Sequence, residues 1–146
     1  NQGRPSKQPF HSIMAGFVTQ GDQAVMAFGN MGGSVQPETH VQHLVNMIDH
    51  GMNVQMTTDA ARFTHSQNQN VLSLEQELYN LVGSALRGKG HDLRVVDGSA
   101  VGGYNAILFT PMPGTMPPAA GDQVSPVNGV YRAGSDHRKD GQAVGW

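Results

Sequence analysis

The sequence predicts an α+β fold, an antiparallel sheet with helices on one face. Three observations carry this reading. Two apolar runs are joined by a Gly-Asp turn near the start, two amphipathic helical stretches follow, and short strand-like runs return after them. Residues 1–9 form an extended lead-in, because Pro5 and Pro9 push their neighbours away from helix. Ser12 to Val18 and Ala24 to Phe28 are mostly apolar, and the turn Gln20-Gly21-Asp22-Gln23 between them makes a hairpin. Gly29 to Ser34 breaks the strand pattern. A helix then opens at Gln36-Pro37-Glu38, with Ser34 as its candidate N-cap and Pro37 in its first turn. Val41, Leu44, Val45, Ile48 and Met52 fall at helical spacing and predict its buried face, and Gly51 marks its end.

A short helix is expected over residues 55–61, after Asn53. Residues 62–72 read as irregular, with a polar run from Ser66 to Asn70. A second amphipathic helix spans Leu74 to Leu86, lined by Leu74, Leu78, Leu81, Val82 and Ala85 and stopped by Gly88 and Gly90. Strands follow at Asp92–Val96, Tyr104–Thr110 and Gly129–Ala133. A Pro/Gly-rich loop over 111–126 precedes the last of them, and a polar tail runs from Gly134 to Trp146. The chain contains no internal repeat.

At 146 residues the chain is one domain's worth. Hydrophobic residues make up 38% and charged residues 14%, with 19 glycines and 8 prolines. Globular proteins average about 45–50% and about 25%, so this chain is rich in turns. A net charge of −2 and a mean hydropathy of −0.36 exclude a disordered polyelectrolyte. Nine Lys+Arg against eleven Asp+Glu leave no basic footprint for nucleic acid. No apolar run approaches the roughly 18–20 residues of a membrane span, and Asn1 to Gln8 lacks the apolar segment of a signal peptide. With no cysteine, a disulfide framework, a cysteine nucleophile and a thiolate metal site are all excluded.

The chemistry-bearing segment is Val25 to Ser34, where a strand ends in Gly32-Gly33 just before a helix. Glycine brings its N–H close to a ligand and tolerates positive φ, and free N–H groups at a helix start favour negative charge. Two such donors suit an oxyanion; the same pair also suits a tight turn with no ligand. Ser12 beside His11 suggests a nucleophile with its base, but neighbours on a strand point to opposite faces, so His11 does not serve Ser12. A polar strand end is the plainer account. His40 and His43 share a helix face, and His50 lies one heptad on, without a third ligand at a persuasive spacing; no metal or cofactor site is expected. Asp136 to Asp140 reads as a solvated charged tail, and Arg62 as a surface or structural ion pair or a carboxylate clamp. The eight methionines read as core filling.

Together these segments resemble the gamma-glutamyltranspeptidases of the N-terminal-nucleophile hydrolase superfamily. Arg4 to Ile13 is similar to the family's basic-proline lead into a serine-bearing strand. Phe28 to Pro37 is similar to its strand–Gly-Gly–helix turn, and His40 to Asn53 to the helix that follows. Asp59-Ala60-Ala61-Arg62-Phe63 resembles its Ala-Pro-Arg-Phe motif with Ala61 in place of Pro, and Ser135-Asp136-His137-Arg138 its Ser-Asp-Pro-Arg ending with His137 in place of Pro. The resemblance implies a four-layer αββα sandwich, of which residues 1–146 supply the C-terminal part of a small subunit. It implies Gly32 and Gly33 as the oxyanion hole, Ser12 on the substrate's α-carboxylate, and His11 in a position where many glutathione-cleaving members carry a second serine. It also implies that the Thr nucleophile and a large-subunit arginine lie in other segments of the precursor, so that this chain alone is inactive. The substrate is then a small gamma-glutamyl amide or, for a related beta-lactam side-chain acylase, a glutaryl amide; the other alternative is a non-catalytic interaction module in which the Gly-Gly turn is structural. A periplasmic or secreted location is favoured by the same resemblance, with the cytoplasm open.

Overall fold

The computed structural model describes residues 3–8, 11–21, 23–113 and 129–145. Among these, the elements run β1 (Ala15–Gln20), β2 (Gln23–Met31), α1 (Gln36–Ile48), α2 (Val54–Asp59), β3 (Phe63–Ser66), β4 (Val71–Glu75), α3 (Gln76–Gly88), β5 (Asp92–Val96), β6 (Gly103–Pro111) and β7 (Gly129–Ser135). They build an antiparallel four-stranded sheet in the order β1-β2-β6-β7 and a three-stranded sheet in the order β3-β4-β5. The α+β class and the first hairpin follow the sequence, with Gln20 opposite Gln23 across the turn. Most of the expected Pro/Gly loop, residues 114–126, lies outside the described residues.

Alternation along the strands gives the large sheet two unlike faces. Met26, Tyr104 and Ala106 point to one face, where Val54 of α2 completes a buried cluster flanked by Val18, Phe28, Leu44, Met47 and Leu108. Full burial of a large apolar side chain contributes about 1.5–3 kcal/mol, so this layer anchors the helices to the sheet. On the other face Phe17, Ala27, Ile107 and Ala133 pair in one row across all four strands, and all four are exposed. The architecture is α+β, two sheets with helices packed against them. No helix among the described residues is long and apolar enough to cross a membrane.

Four expectations are corrected. The sheets are not wholly antiparallel: β4 and β5 run parallel, with α3 as the crossover between them. The stretch read as irregular contains β3 and β4, paired from Phe63↔Leu74 to Ser66↔Val71, so Leu74 belongs to a strand and is buried there. Its polar sequence hid this, because a four-residue strand gives almost no periodic signal. Ser34 does not cap α1; Val35 takes the N-cap position without a side-chain bond.

The face of α1 is also different. Gln36, Thr39 and His43 are buried, whereas Val41 is 60% and Ile48 71% exposed. These polar groups tolerate burial because they are satisfied locally. The Thr39 hydroxyl bonds the Val35 and Gln36 carbonyls at 3.0 Å each. His43 stacks on Tyr104 with ring centroids 3.6 Å apart. Its Nδ1 sits 3.1 Å from the Thr57 carbonyl, an acceptor only, so Nδ1 carries the proton.

That burial predicts a pH effect. Desolvation, and then the nearby Arg62 charge, push the His43 pKa down from 6.5 to about 3. The unfolded chain therefore takes up a proton that the folded chain refuses. The His43 contribution is fully present above its unfolded pKa and is lost as pH falls from 6.5 toward 3, at about 1.4 kcal/mol per pH unit. Denaturant unfolding of the protein at several pH values, against His43→Gln, is expected to show this slope in the parent only. Equal slopes would remove His43 as its source.

Candidate active site

The glycine turn lies where β2 stops and α1 begins. Gly32 has φ +137° and Gly33 φ +63°, both in the region that side chains disfavour. A 3₁₀ turn over Gly33–Val35 follows, closed by the Gln36 amide on the Gly33 carbonyl. The amides of Gly32 and Gly33 have no acceptor among the described residues, and both glycines are exposed. Two unengaged donors at the end of a rigid strand are what a developing oxyanion requires.

The turn opens on a cleft of about 330 Å³. It is lined by the segment Ser12–Ala15, by Gly29 to Gly32, and by Gln36, Gly103 and Asn105. Ser12 and Gly32 are thus brought to one cavity, with Gly33 beside it in the chain. His11 is exposed and outside the lining. Asn30, Gln36 and Asn105 were not singled out in the sequence. Asn30 sits inside the Gly-rich segment itself, so the motif was a signal for it. Its Nδ2 donates to the Met31 carbonyl at 2.5 Å, and its buried Oδ1 has no partner among the described residues, an acceptor available to an amine or amide donor. Two further openings among the described residues, between β2, β6, β7 and residues 142–145, carry no carboxylate, histidine or cation.

Among the described residues no threonine lines the cleft. Thr57 and Thr58 are buried in α2, where their hydroxyls donate to the His43 carbonyl at 3.2 Å and the Val54 carbonyl at 2.6 Å. Among the described residues no group of three His, Asp or Glu side chains is gathered to hold a metal.

Behind the cleft lies a buried ionic network that corrects the reading of a solvated tail. Arg62 and Asp136 are each 1% exposed and form a direct ion pair. Arg62 also donates to the carbonyls of Thr58 at 2.9 Å and Val101 at 3.2 Å. Asp136 accepts from the amides of Tyr104 and Arg138, both at 2.9 Å. Arg138 grips both oxygens of Glu75 at 2.7 Å and the carbonyls of Thr58 at 3.0 Å and Ala60 at 3.2 Å. Burial alone would raise the Asp136 pKa, but the Arg62 hydrogen bond and the two amides outweigh it and hold the carboxyl below its ordinary range.

Two guanidinium groups against two carboxylates leave the cluster neutral, the condition under which buried charge is tolerated. The network fixes the start of β6, and this bears directly on the turn. Gly102 has φ +82°, and a Cβ there would overlap the Met31 carbonyl, so β6 presses against the chain just before Gly32. Arg62 as a structural ion pair agrees with the sequence; its carboxylate partner is internal.

Comparison with known proteins follows the same lines. The sequence model of the gamma-glutamyltranspeptidase family matches residues 1–146. The chain is 30% identical, over 97% of its length, to the oxamate amidohydrolase proenzyme of Klebsiella pneumoniae subsp. pneumoniae, and covers 25% of that protein. It is 29% identical, over 99% of its length, to the glutathione hydrolase-like YwrD proenzyme of Bacillus subtilis, covering 26%. It thus spans about a quarter of the length of the curated relatives it matches. Among solved structures, cephalosporin acylase from Bacillus halodurans superposes with a TM-score of 0.77 at 34% identity, over 98% of this chain and 24% of that one. A Helicobacter pylori gamma-glutamyltranspeptidase shares the fold with a TM-score of 0.74 at 23% identity, over 93% of this chain and 66% of that one. With the family's sequence pattern along its whole length and the fold of its solved members, this chain belongs to the gamma-glutamyltranspeptidase family.

Proposed function

We propose that this chain is the C-terminal part of the small subunit of a gamma-glutamyl hydrolase or transferase, and that its cleft is one wall of the active site. The observation that carries the reading is the meeting of Ser12 with a Gly32-Gly33 turn whose amides are unengaged. The attacking hydroxyl belongs to an N-terminal Thr supplied by a segment outside this sequence. Its attack on the gamma-glutamyl carbonyl turns that oxygen into an oxyanion, which accepts from the Gly32 and Gly33 amides. Collapse expels the amine and leaves an acyl ester on the Thr. Water or an amine then takes the acyl group and regenerates the hydroxyl. Ser12 holds the α-carboxylate of the acyl donor.

The bare sheet row Phe17, Ala27, Ile107 and Ala133, and the outward Val41 and Ile48 of α1, support a second body of the same precursor packed on this chain. Isolated exposed apolar residues are ordinary, but a continuous row across four strands is not.

The test is hydrolysis of a gamma-glutamyl anilide by the complete processed enzyme, with intact-mass detection of an acyl adduct on the N-terminal Thr. No turnover and no adduct would end the reading. Ser12→Ala is expected to raise KM about 10-fold with little change in kcat, because a hydrogen bond to a charged group contributes about 1.5–3 kcal/mol. An unaltered KM would remove Ser12 from the carboxylate site.

A second reading, a glutaryl-type acylase, is favoured by the higher identity to the cephalosporin acylase than to the transpeptidase. It predicts faster release from a glutaryl anilide than from the gamma-glutamyl one, and the ratio of the two rates decides between them.

A further inference from the structure

The Ser12 segment and the glycine turn are 20 residues apart in sequence and belong to different elements, yet the proposed reaction needs them in register. Strand pairing does not supply that register. The β1–β2 ladder ends at Ala15↔Gly29, and Ser12 to Met14 run beyond it. Two of their backbone groups are met by one side chain. Gln36 donates from Nε2 to the Ser12 carbonyl at 3.1 Å and accepts at Oε1 from the Met14 amide at 3.2 Å. The carboxamide thus stands in for the peptide group of a neighbouring strand, one donor and one acceptor in a plane.

The same residue holds the other half of the site. Its main-chain N–H closes the 3₁₀ turn on the Gly33 carbonyl. Its carbonyl accepts from the Thr39 hydroxyl at 3.0 Å. Gln36 is 6% exposed, so its amide has little competition from water. Few other side chains do this work: Glu accepts but cannot donate to the Ser12 carbonyl, Leu does neither, and Asn is one methylene too short.

We propose that Gln36 is a positioning residue that sets the distance between the substrate-holding Ser12 and the Gly32-Gly33 oxyanion turn. This rests on the reading of Ser12 and the glycines given above. It makes Gln36 a determinant of preference for acyl donors that bear a carboxylate beside the amine. Such donors use both anchors at once, whereas a donor without the carboxylate uses only the turn. Misplacement of about 1 Å between two anchors can cost on the order of 100-fold in rate.

The experiment uses the complete processed enzyme and two substrates, gamma-glutamyl 4-nitroanilide and the same anilide without the α-carboxylate, 4-aminobutyryl 4-nitroanilide. Four variants are compared with the parent: Gln36→Leu, Gln36→Glu, Ser12→Ala, and Gln36→Leu combined with Ser12→Ala. Gln36→Glu keeps the volume and carries the comparison if the leucine variant does not mature.

Ser12→Ala and each Gln36 variant are expected to lower kcat/KM for the carboxylate-bearing substrate about 10-fold or more, chiefly through KM. The second substrate changes less than about 3-fold, and the double variant is little worse than Ser12→Ala alone, the non-additivity of residues that act as a unit. If Gln36 variants lower both substrates equally, or if the two effects multiply, Gln36 is a scaffold residue and the proposal is overturned. If Ser12→Ala erases the preference while Gln36→Leu and Gln36→Glu keep it, the proposal alone falls. If Ser12→Ala leaves the preference intact, the reading of Ser12 is what failed, and the proposal goes with it.

Discussion

Asp136→Ala is expected to destabilise the protein by about 3–5 kcal/mol, the range for removing one partner of a buried ion pair. The carboxylate is the common acceptor for Arg62, for the amides of Tyr104 and Arg138, and for the Arg138 guanidinium at 3.2 Å. Without it two guanidinium groups face Glu75 alone, and the Tyr104 amide is buried without an acceptor. That loss approaches the whole stability of a typical domain, so the variant is expected to accumulate poorly and to mature poorly. Asp136→Asn keeps the shape and loses the charge, and falls between the two. Denaturant unfolding of the complete enzyme measures it; a loss under about 1 kcal/mol would mean the cluster is solvated in the assembled protein. Because Arg62 also holds the Val101 carbonyl, surviving Asp136 variants are expected to lose activity as well.

Gly33→Val keeps its backbone N–H but disfavours the φ of +63° that aims it, and is expected to lower kcat of the complete enzyme by about 100- to 1,000-fold with little change in KM, the cost when an oxyanion donor is turned away. The substrate carbonyl gains its charge only on the way to the tetrahedral species, so the contact appears in kcat rather than in binding. Gly33 is a cleaner probe than Gly32. A Cβ at Gly33 meets nothing within 4 Å, and the structural cost is the φ of +63°, roughly 1–2 kcal/mol. At Gly32 a Cβ would approach Val35 Cγ2 at 2.7 Å and Gly102 Cα at 3.1 Å, so substitution there damages the turn itself. A folded Gly33→Val enzyme with parental kcat would mean that the left-handed turn at Gly33 does not aim an oxyanion donor.

Much of this architecture is legible without coordinates. The N-cap Asn53 announces α2, and its side chain accepts from the Met56 amide at 2.9 Å. The Gly21 turn announces the β1–β2 hairpin, and Gly32-Gly33 announces the break between β2 and α1, although Gly29 to Met31, read as part of that break, stay in β2. Each of these is a local signal, a backbone constraint or a cap felt within a few residues. The periodic stripe of α1 was equally local, and there it misled. Val41, Val45 and Ile48 are apolar, but the helix is rolled so that Thr39 and His43 meet the sheet. The roll follows from Tyr104 offering His43 a stacking surface and from Thr57 offering it a carbonyl, neither of which sits on α1.

The sequence by itself determined the first hairpin, the helices, the strands β5 to β7, the sharp turn at Gly32-Gly33 and the family pattern, because these depend on neighbours along the chain; β3 and β4 needed their pairing to be seen. Only the tertiary structure decided that Ser12 shares a cleft with that turn, that Gln36 joins them, and that Asp136 and Arg138 leave the polar tail for the interior. Asp136 lies 74 residues from Arg62, and Gln36 lies 24 from Ser12. No periodicity spans such separations. Burial free energy and the need to satisfy each buried charge select those partners only when the sheet brings them within hydrogen-bond reach.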